Sequence, residues 1–315
     1  MKILIIGKDS YIGNHIDEWL VKAGHQVEQL DVLTEDWKTY DYSPYDAIVH
    51  VAGIVHRPNC QDWELYHNVN TLMPLEIAKK FRASISYKLS NSKLFVYFST
   101  MGVYDAEKKL HGCMINSETP MLKDGNSMYG KSKLMAEEGL KELIAYSGEL
   151  IEEGKLIDES GELRDDGFKV AIVRPPSVYG KGCKGGYITG FRKIASLLPV
   201  IPQAYEEARQ SFIYIDNLCE CVRLIVENGQ GGVFCPQDDE IPNANRLLEV
   251  ICEGIGKKYR ASRLLGWCMR LVSFIPLVRK AYGGIAYARE LSDIPGYDYV
   301  VVPFREGMKR TVSNG

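Results

Sequence analysis

The sequence predicts an α/β protein built on a doubly wound parallel sheet, with a smaller mixed α/β part toward the C-terminus. Two observations lead to this prediction. Short apolar runs at residues 2–6, 47–51, 94–98 and 170–173 are typical of strands buried on both faces of a parallel sheet. The first run continues through a glycine turn into a helical pattern, which is the strand–turn–helix unit of such sheets.

Composition excludes several classes of protein. The chain has 315 residues, 45% hydrophobic and 25% charged, which suits a soluble globular protein of one large or two smaller domains. A net charge of −3 favours neither a nucleic-acid nor an anionic-membrane surface. The eight Cys form no C-x-x-C pair and accompany no His cluster, so we expect free thiols and no metal. The N-terminus opens as a strand without the features of a signal peptide, so we expect a cytoplasmic protein.

The first strand, residues 2–6, leads into a turn that begins at Gly7 and ends at Gly13. A turn of this kind aims backbone N–H groups and the positive end of the helix at a pyrophosphate. The middle glycine of the G-x-x-G-x-x-G pattern is replaced by Ser10, whose hydroxyl can donate to phosphate. An ordinary tight turn is the alternative. The predicted cofactor contacts of this turn are Gly7, Ser10, Tyr11, Ile12 and Gly13.

An acid ends the second strand, residues 26–30. Asp31 lies eighteen residues beyond Gly13, where a carboxylate can accept from the adenosine ribose hydroxyls. An acid repels a 2′-phosphate, and no Arg or Lys follows at once. The pattern therefore favours NAD over NADP, with a solvated loop Asp as the alternative.

The third strand, residues 46–53, runs into small side chains. Val51, Ala52 and Gly53 leave room for a cofactor to pass close to the backbone. His50, within the strand, is interpreted as a satisfied core histidine. His56 follows on the edge where ligands of open α/β sheets bind, and is a candidate substrate contact.

Two hydroxyls end the fourth apolar run, residues 94–98. Ser99 and Thr100 project into the predicted cleft, where a hydroxyl can bond a substrate oxygen and share its proton with a nearby tyrosine. Capping of the strand end is the alternative.

Two Tyr-x-x-x-Lys matches are candidates for that tyrosine. On a helix the two side chains are neighbours, and an ammonium beside a phenol lowers the Tyr pKa and prepares it for proton transfer. Tyr104 and Lys108 directly follow the fourth strand, with no apolar periodicity behind them. Tyr129 and Lys133 open a long amphipathic helix, which can return across the sheet to Thr100. We therefore select Tyr129.

Three later segments are less specific. Residues 148–166 are rich in acids and are interpreted as a solvated surface insertion. The loop at 181–186 is glycine-rich and basic, which suits an anionic substrate or a plain surface turn. The apolar run 271–278 is too short to span a bilayer, and we expect a core or lid helix in preference to a helix lying on a membrane.

Taken together, these residues resemble the extended short-chain dehydrogenase/reductase family, in its NAD-dependent epimerase/dehydratase branch acting on nucleotide sugars. The resemblance implies a Rossmann domain for NAD at 1–174, with 210–232 returning to it, and a nucleotide-sugar domain at 175–209 and 233–315. It rests on an ordered set along nearly the whole chain: residues 7–13, Asp31, residues 50–53, Asn68 and Val69, Ser99 and Thr100, Val103 and Tyr104, Tyr129, Ser132 and Lys133, Arg174 and Pro175, and residues 212–216.

The resemblance also implies roles. Tyr129 is the acid/base, Lys133 contacts the nicotinamide ribose and the tyrosine, and Thr100 is the hydroxyl partner. A homodimer through the helices around Asn68 and Tyr129 is a further implication, which the residues do not test. The remaining contacts to NAD that we predict are Val51, Ala52, Gly53, Asn68, Ser99 and Pro175.

The chain departs from the family pattern where phosphates bind. Gln210 stands where many members carry an Arg for the substrate diphosphate, and Ser177 where Asn is frequent. We expect phosphate binding to shift toward Lys184 or Arg209. The full set of predicted substrate contacts is His56, Thr100, Met101, Ser177, Lys184 and Arg209.

Met101 and Gly102 stand where related sugar 4,6-dehydratases carry Asp-Glu, so dehydration is not expected. The leading hypothesis is a 4-epimerase of UDP-hexose or UDP-N-acetylhexosamine that passes through a 4-keto sugar. Resemblance of residues 174–185 to surface-polysaccharide enzymes keeps a 4-keto reductase of UDP-amino sugars as the alternative. A non-catalytic nucleotide-sensing protein on the same fold is the third hypothesis.

Overall fold

The computed structural model divides the chain into two compact units. It describes residues 1–55, 62–85, 92–123, 127–152, 167–183 and 187–313, without the side chains of 145–152. The predicted contacts His56 and Lys184, and most of the acidic insertion, lie outside the described residues. The first unit is Met1–Val103, Met121–Arg174 and Val222–Phe234, and the second is Tyr104–Pro120, Pro175–Cys221 and Cys235–Gly315.

Strand pairing explains where these units differ from the predicted domains. Residues 104–120 and 210–221 were predicted in the first domain but belong to the second unit. Met114–Ile115 pairs with Ala286–Tyr287, and Phe212–Tyr214 pairs with Ser177–Tyr179, so both segments are hydrogen-bonded within the second unit.

Each of the four predicted apolar runs becomes a strand, and the chain forms further short strands. In chain order they are β1 (Lys2–Ile6), β2 (Gln26–Leu30), β3 (Ala47–His50), β4 (Lys93–Phe98), β5 (Met114–Ile115), β6 (Phe168–Val173), β7 (Ser177–Tyr179), β8 (Ile201–Pro202), β9 (Phe212–Tyr214), β10 (Gly232–Phe234), β11 (Ala261–Ser262) and β12 (Ala286–Tyr287).

The helices lie between these strands and after them. They are α1 (Tyr11–Lys22), α2 (Trp63–His67), α3 (Met73–Ala83), α4 (Met128–Glu152), α5 (Tyr187–Leu197), α6 (Ile215–Asn228), α7 (Ala244–Gly254), α8 (Arg263–Leu271), α9 (Pro276–Tyr282), α10 (Arg289–Ser292) and α11 (Phe304–Val312). A π-helical turn, Asn68–Leu72, joins α2 to α3, and a 3₁₀ turn, Met101–Val103, follows β4.

The first unit is organised by a six-stranded parallel sheet in the order β10-β6-β4-β3-β1-β2, which confirms the predicted fold class. β2 pairs with one edge of β1, and β3 pairs with the other edge. The strand order therefore reverses between β1 and β3. Ligands of open α/β sheets bind at such a switch point, beyond the carboxyl ends of the strands.

The apolar runs become strands because both faces of the sheet are covered. Ile3, Ile5 and Phe95 are fully buried, and Phe81 of α3 and Leu140 of α4 are buried in the same unit. The second unit contains two-stranded parallel pairings β7–β9, β8–β11 and β5–β12 among its helices.

The apolar run 271–278 differs from its prediction. Leu271, Phe274 and Leu277 are exposed, and Val278 is buried, so the expectation of a core helix is wrong. In the described part of the chain, no helix combines the length and the apolar character that crossing a membrane requires.

Candidate functional site

The carboxyl edge of the sheet brings the predicted cofactor residues of the first unit together. Gly7 follows β1, Asp31 follows β2, residues 51–53 follow β3, and Ser99 follows β4. The last residues of β1, β2 and β3 lie side by side, because Ile6 pairs with both Leu30 and His50.

Crowding explains the glycines of the first turn. Gly7 has a φ of 123°, and a Cβ there would lie 2.9 Å from the backbone nitrogen of Ala52. At Gly13, a Cβ would lie 2.6 Å from Oγ of Ser10. Ser10 caps α1, since its Oγ accepts the N–H of Gly13 at 3.0 Å. Its own hydroxyl proton is not used in that bond, so it can donate to a phosphate as predicted.

Asp31 is held ionised by its own loop. Its carboxylate accepts from the Thr34 hydroxyl at 2.7 Å and from the Leu33 N–H at 2.9 Å. These two hydrogen bonds, that from Thr34 first, lower the pKa of Asp31. An ionised carboxylate offers about four acceptor sites, so the side chain keeps capacity for two ribose hydroxyls.

Asn70, which the sequence reasoning did not select, holds the backbone after β3. It is fully buried; its Oδ1 accepts the Ile54 N–H at 2.8 Å, and its Nδ2 donates to the Ile54 carbonyl at 3.0 Å and to Ser132 Oγ at 3.1 Å. The predicted contact Asn68 is exposed instead. A π-helical turn breaks the 3.6-residue periodicity, so helical spacing could not show which asparagine faces inward.

Thr100 and Tyr129 are brought into hydrogen-bond contact, as the order of elements predicted. Ser127 starts α4 by accepting the Gly130 N–H at 3.1 Å, which places Tyr129 in the first turn. Thr100 Oγ1 also accepts the Gly102 N–H at 3.1 Å, which fixes the hydroxyl after β4.

The predicted lowering of the Tyr129 pKa is wrong for this structure. Burial raises the pKa of Tyr129, and the hydrogen bond with Thr100 offsets part of that rise. The Lys133 ammonium donates instead to the Phe98 carbonyl, at 2.8 Å, and lies 4.7 Å from the ring centre of Tyr97. Burial lowers the pKa of Lys133 to about 7.

Lys133 also lies under the backbone that follows β3. A Cβ on Gly53 would be 3.1 Å from Lys133 Nζ and 3.0 Å from Asn70 Oδ1. Glycine at this position therefore lets the backbone approach the ammonium at the switch point.

His50 is buried as predicted, but it is not satisfied. Neither ring nitrogen has a hydrogen-bond partner among the described residues. Burial lowers the pKa of His50 to about 3, so its ring is neutral near neutral pH.

A buried ion pair that the sequence reasoning missed lies under the site. The Glu137 carboxylate accepts from Arg174 Nε at 2.9 Å, from a second guanidinium nitrogen of Arg174, and from the Ser99 hydroxyl. Both charged residues are almost fully buried. Ser99, a predicted cofactor contact, thus has its hydroxyl committed to Glu137. The sequence did offer one indication that Glu137 lies near the site, because Glu137 follows Lys133 by one helical turn.

Gly130 permits the close approach of α4 to the turn after β4. A Cβ at Gly130 would lie 2.4 Å from the Gly102 carbonyl oxygen. We expect Gly130→Ala to lower the free energy of unfolding by about 1–3 kcal/mol, as overpacking does, in urea denaturation. Gly190→Ala on α5 is the matched control, because its added Cβ meets nothing within 4 Å. It should raise the stability by about 0.5–1 kcal/mol, and equal effects of the two substitutions would contradict the prediction.

The second Tyr-x-x-x-Lys match is not a pair in the structure. The Tyr104 hydroxyl lies 3.8 Å from Cys235 Sγ, whereas Lys108 Nζ donates to Gln210 Oε1 at 2.6 Å. Gln210 Nε2 is 3.5 Å from Ser177 Oγ, a predicted substrate contact. All of these residues belong to the second unit.

Arg209 and Pro175 are the other predicted site residues that the structure describes in the second unit. Arg209 is exposed and donates to the Ile241 carbonyl at 3.1 Å. Pro175 is the first residue of its segment of the second unit. Among the residues that the structure describes, no cluster of three or more His, Cys, Asp or Glu is arranged to hold a metal ion.

Comparison with known proteins agrees with this architecture. The chain is 24% identical over 291 residues to the UDP-glucose 4-epimerase of Vibrio cholerae, an alignment that covers 85% of this chain and 80% of the relative. Solved structures share its fold, among them two 4-epimerases. They are the UDP-glucuronic acid 4-epimerase of Bacillus cereus in complex with NAD (TM-score 0.66, 17% identity, covering 99% of this chain and 96% of that one) and the UDP-glucose 4-epimerase of Thermus thermophilus in complex with NAD (TM-score 0.65, 18% identity, 99% and 98%).

A family model matches most of the chain. The model of the NAD dependent epimerase/dehydratase family matches residues 3–234, which include the glycine turn, Asp31, Thr100, Tyr129 and Lys133. The chain therefore belongs to the NAD-dependent epimerase/dehydratase family.

Proposed function

We propose that this protein is an NAD-dependent nucleotide-sugar 4-epimerase that acts on a UDP-hexose or a UDP-N-acetylhexosamine through a transient 4-keto sugar. The observation that carries the proposal is the contact between the hydroxyls of Thr100 and Tyr129, in which Tyr129 lies in the first turn of α4, on the same helix face as Lys133. Similarity to UDP-sugar 4-epimerases over most of the chain supports it.

The residues at the switch point fit NAD. The turn at 7–13 offers the N-terminus of α1 to a pyrophosphate, and Gly7 and Gly53 allow close backbone approach. The ionised Asp31 can accept from the ribose and repels a 2′-phosphate, which favours NAD over NADP. NAD, when bound, would take the hydride from C4 of the sugar and return it to the other face.

The proton is handled by the chain itself. Tyr129 removes the proton of the C4 hydroxyl and gives it back after the keto sugar has rotated. Thr100 donates its hydroxyl hydrogen bond to the phenol, which favours the phenolate. Lys133 lies one helical turn away, but its Nζ donates to the Phe98 carbonyl and burial lowers its pKa to about 7, so Thr100 carries most of this stabilisation.

Lys108 is our candidate for the substrate diphosphate. With Glu107, Arg279 and Lys280 it lines a cleft of about 400 Å³ in the second unit, where cations outnumber acids. Burial and the nearby Lys280 lower the pKa of Lys108 to about 8, so it is charged at neutral pH. Its contact with Gln210 brings an ammonium to the position where the family pattern has an Arg.

This assignment predicts the behaviour of a Lys108 variant. Lys108→Met should weaken binding of UDP at least about ten-fold in titration calorimetry, because a charge-assisted hydrogen bond to phosphate is lost. Wild-type affinity should also fall as pH rises through about 8, where Lys108 loses its proton, and the variant should lack this dependence.

Two variants control this experiment. Lys109→Met removes the exposed neighbouring cation and should leave UDP binding unchanged. The double variant Lys108→Met/Gln210→Arg should regain affinity, since it returns a cation to the same place. Unchanged binding by Lys108→Met would move the diphosphate contact to Arg209 or Lys184.

The proposed function is tested by two measurements on the purified protein. Native mass spectrometry should find NAD bound, since an epimerase ends each cycle with its cofactor as it began. A panel of UDP-sugars followed by NMR should show C4 interconversion without net NADH. Stoichiometric consumption of NAD(P)H with a UDP-4-keto sugar would make the protein a reductase instead. Absence of turnover with every UDP-sugar would favour the nucleotide-sensing hypothesis.

A further inference from the structure

An apolar stripe on α8 faces outward. Leu264, Trp267, Cys268 and Leu271 are all exposed and follow the spacing i, i+3, i+4, i+7, so they share one face of the helix. The relative exposures of Leu264 and Trp267 are 73% and 59%. An amphipathic helix of a globular protein normally turns such a stripe inward.

The stripe continues beyond α8. Phe274 is 79% exposed and Leu277 is 70% exposed. Of the eighteen large hydrophobic side chains found exposed in the described residues, seven fall between positions 264 and 277. Concentration of this kind marks an interaction surface, whereas single exposed hydrophobic residues are ordinary.

The opposite faces of α8 and α9 pack against other parts of the second unit. Gly266 packs so closely on Gln203 that a Cβ would lie 1.8 Å from its carbonyl oxygen. On α9, Val278 and Tyr282 are buried, and the Tyr282 hydroxyl donates to the Pro202 carbonyl at 2.9 Å. The stripe therefore faces outward because the inner faces are fixed.

The same segment is basic. Residues 257–280 contain seven Lys and Arg and no Asp or Glu, in a chain whose net charge is −3. Arg263 and Arg270 are exposed beside the apolar side chains, whereas Arg279 and Lys280 line the cleft at Lys108. Exposed apolar side chains with flanking cations are typical of helices that lie in the interface of an anionic membrane.

We propose that this face, α8 and the segment through Leu277, docks on the surface of an anionic lipid bilayer. Trp267, Leu271 and Phe274 enter the boundary between headgroups and acyl chains, and the flanking cations contact anionic headgroups. A second copy of the chain fits less well, because a two-fold contact would set this acid-free face against itself.

The test uses the full-length protein and sedimentation with vesicles. Phosphatidylcholine vesicles with about 30 mol % phosphatidylglycerol should bind it at least about ten times more strongly than pure phosphatidylcholine vesicles. Binding should weaken as salt is added, because salt screens the cations. Trp267→Ser/Phe274→Ser should reduce binding at least about ten-fold, and Arg263→Glu/Arg270→Glu should remove the preference for phosphatidylglycerol.

Val21→Ser/Leu33→Ser is the matched control, since both side chains are exposed aliphatics of the first unit. It should bind vesicles like the wild type. Equal binding by the control and by Trp267→Ser/Phe274→Ser overturns the proposal, as does wild-type binding that ignores phosphatidylglycerol. Concentration-dependent self-association abolished by Trp267→Ser/Phe274→Ser would show a protein interface and would also overturn it.

Discussion

Tyr129→Phe should lower turnover of the UDP-sugar substrate by a factor of about 10² to 10⁴, the usual contribution of a positioned acid/base. The phenyl ring keeps the packing of the side chain, so the thermal transition and NAD content should stay near those of the wild type. Wild-type turnover should rise with pH above neutrality, because burial raises the pKa of Tyr129 and the phenolate is the active base. The residual rate of Tyr129→Phe should not show that rise.

Tyr104→Phe is the matched control for this prediction. It alters the other Tyr-x-x-x-Lys match, whose hydroxyl lies 3.8 Å from Cys235 Sγ. Its turnover should stay within about two-fold of the wild type. A loss of turnover in Tyr104→Phe with normal turnover in Tyr129→Phe would reverse the assignment of the acid/base.

Arg174→Met should have the largest effect on stability, lowering the free energy of unfolding by about 3–5 kcal/mol in urea denaturation. The guanidinium makes two hydrogen bonds to Glu137, and both groups are almost fully buried. Removing Arg174 takes the close cation from a buried carboxylate, which is the costly case, and the half-exposed Lys141 ammonium, 4.0 Å from Glu137, offsets little of the loss. The double variant Glu137→Gln/Arg174→Met should recover much of the loss, since it also removes the carboxylate that Arg174 neutralised.

The surface pair of Arg310 and Glu306 provides the control. Arg310→Met removes an Arg–Glu contact of 2.9 Å between half-exposed side chains, which should cost less than about 1 kcal/mol. Similar losses in Arg174→Met and Arg310→Met would show that burial does not govern the strength of these pairs here.

Local patterns were sufficient for the fold class. The continuous apolar runs identified β1, β3, β4 and β6, because a strand buried on both faces has no polar face to show. The glycine turn was equally readable, because the pattern of strand, glycine and helix lies within thirteen residues of the N-terminus. The selection of Tyr129 over Tyr104 also needed only sequence, since one match opens an amphipathic helix and the other does not.

Tertiary structure decided the environment of each side chain. Glu137 and Arg174 are far apart in sequence, so their pairing depends on how α4 crosses the sheet. The pKa of Tyr129 was predicted with the wrong sign, because burial outweighs a lysine whose ammonium is engaged by the Phe98 carbonyl. The choice between Asn68 and Asn70 depended on a π-helical turn that sequence spacing does not show.

The distribution of charged and apolar side chains was also determined partly by the sequence and partly by the tertiary structure. The sequence by itself determined the strands, the glycine turn and the position of the Tyr129 helix, because each depends on neighbouring residues. A net charge of −3 conceals an acid-free basic segment at 257–280, and the expectation of a core or lid helix at 271–278 did not anticipate the exposed Leu271, Phe274 and Leu277. Only the tertiary structure decided which face of α8 is covered, because the packing of Gly266 against Gln203 orients the helix.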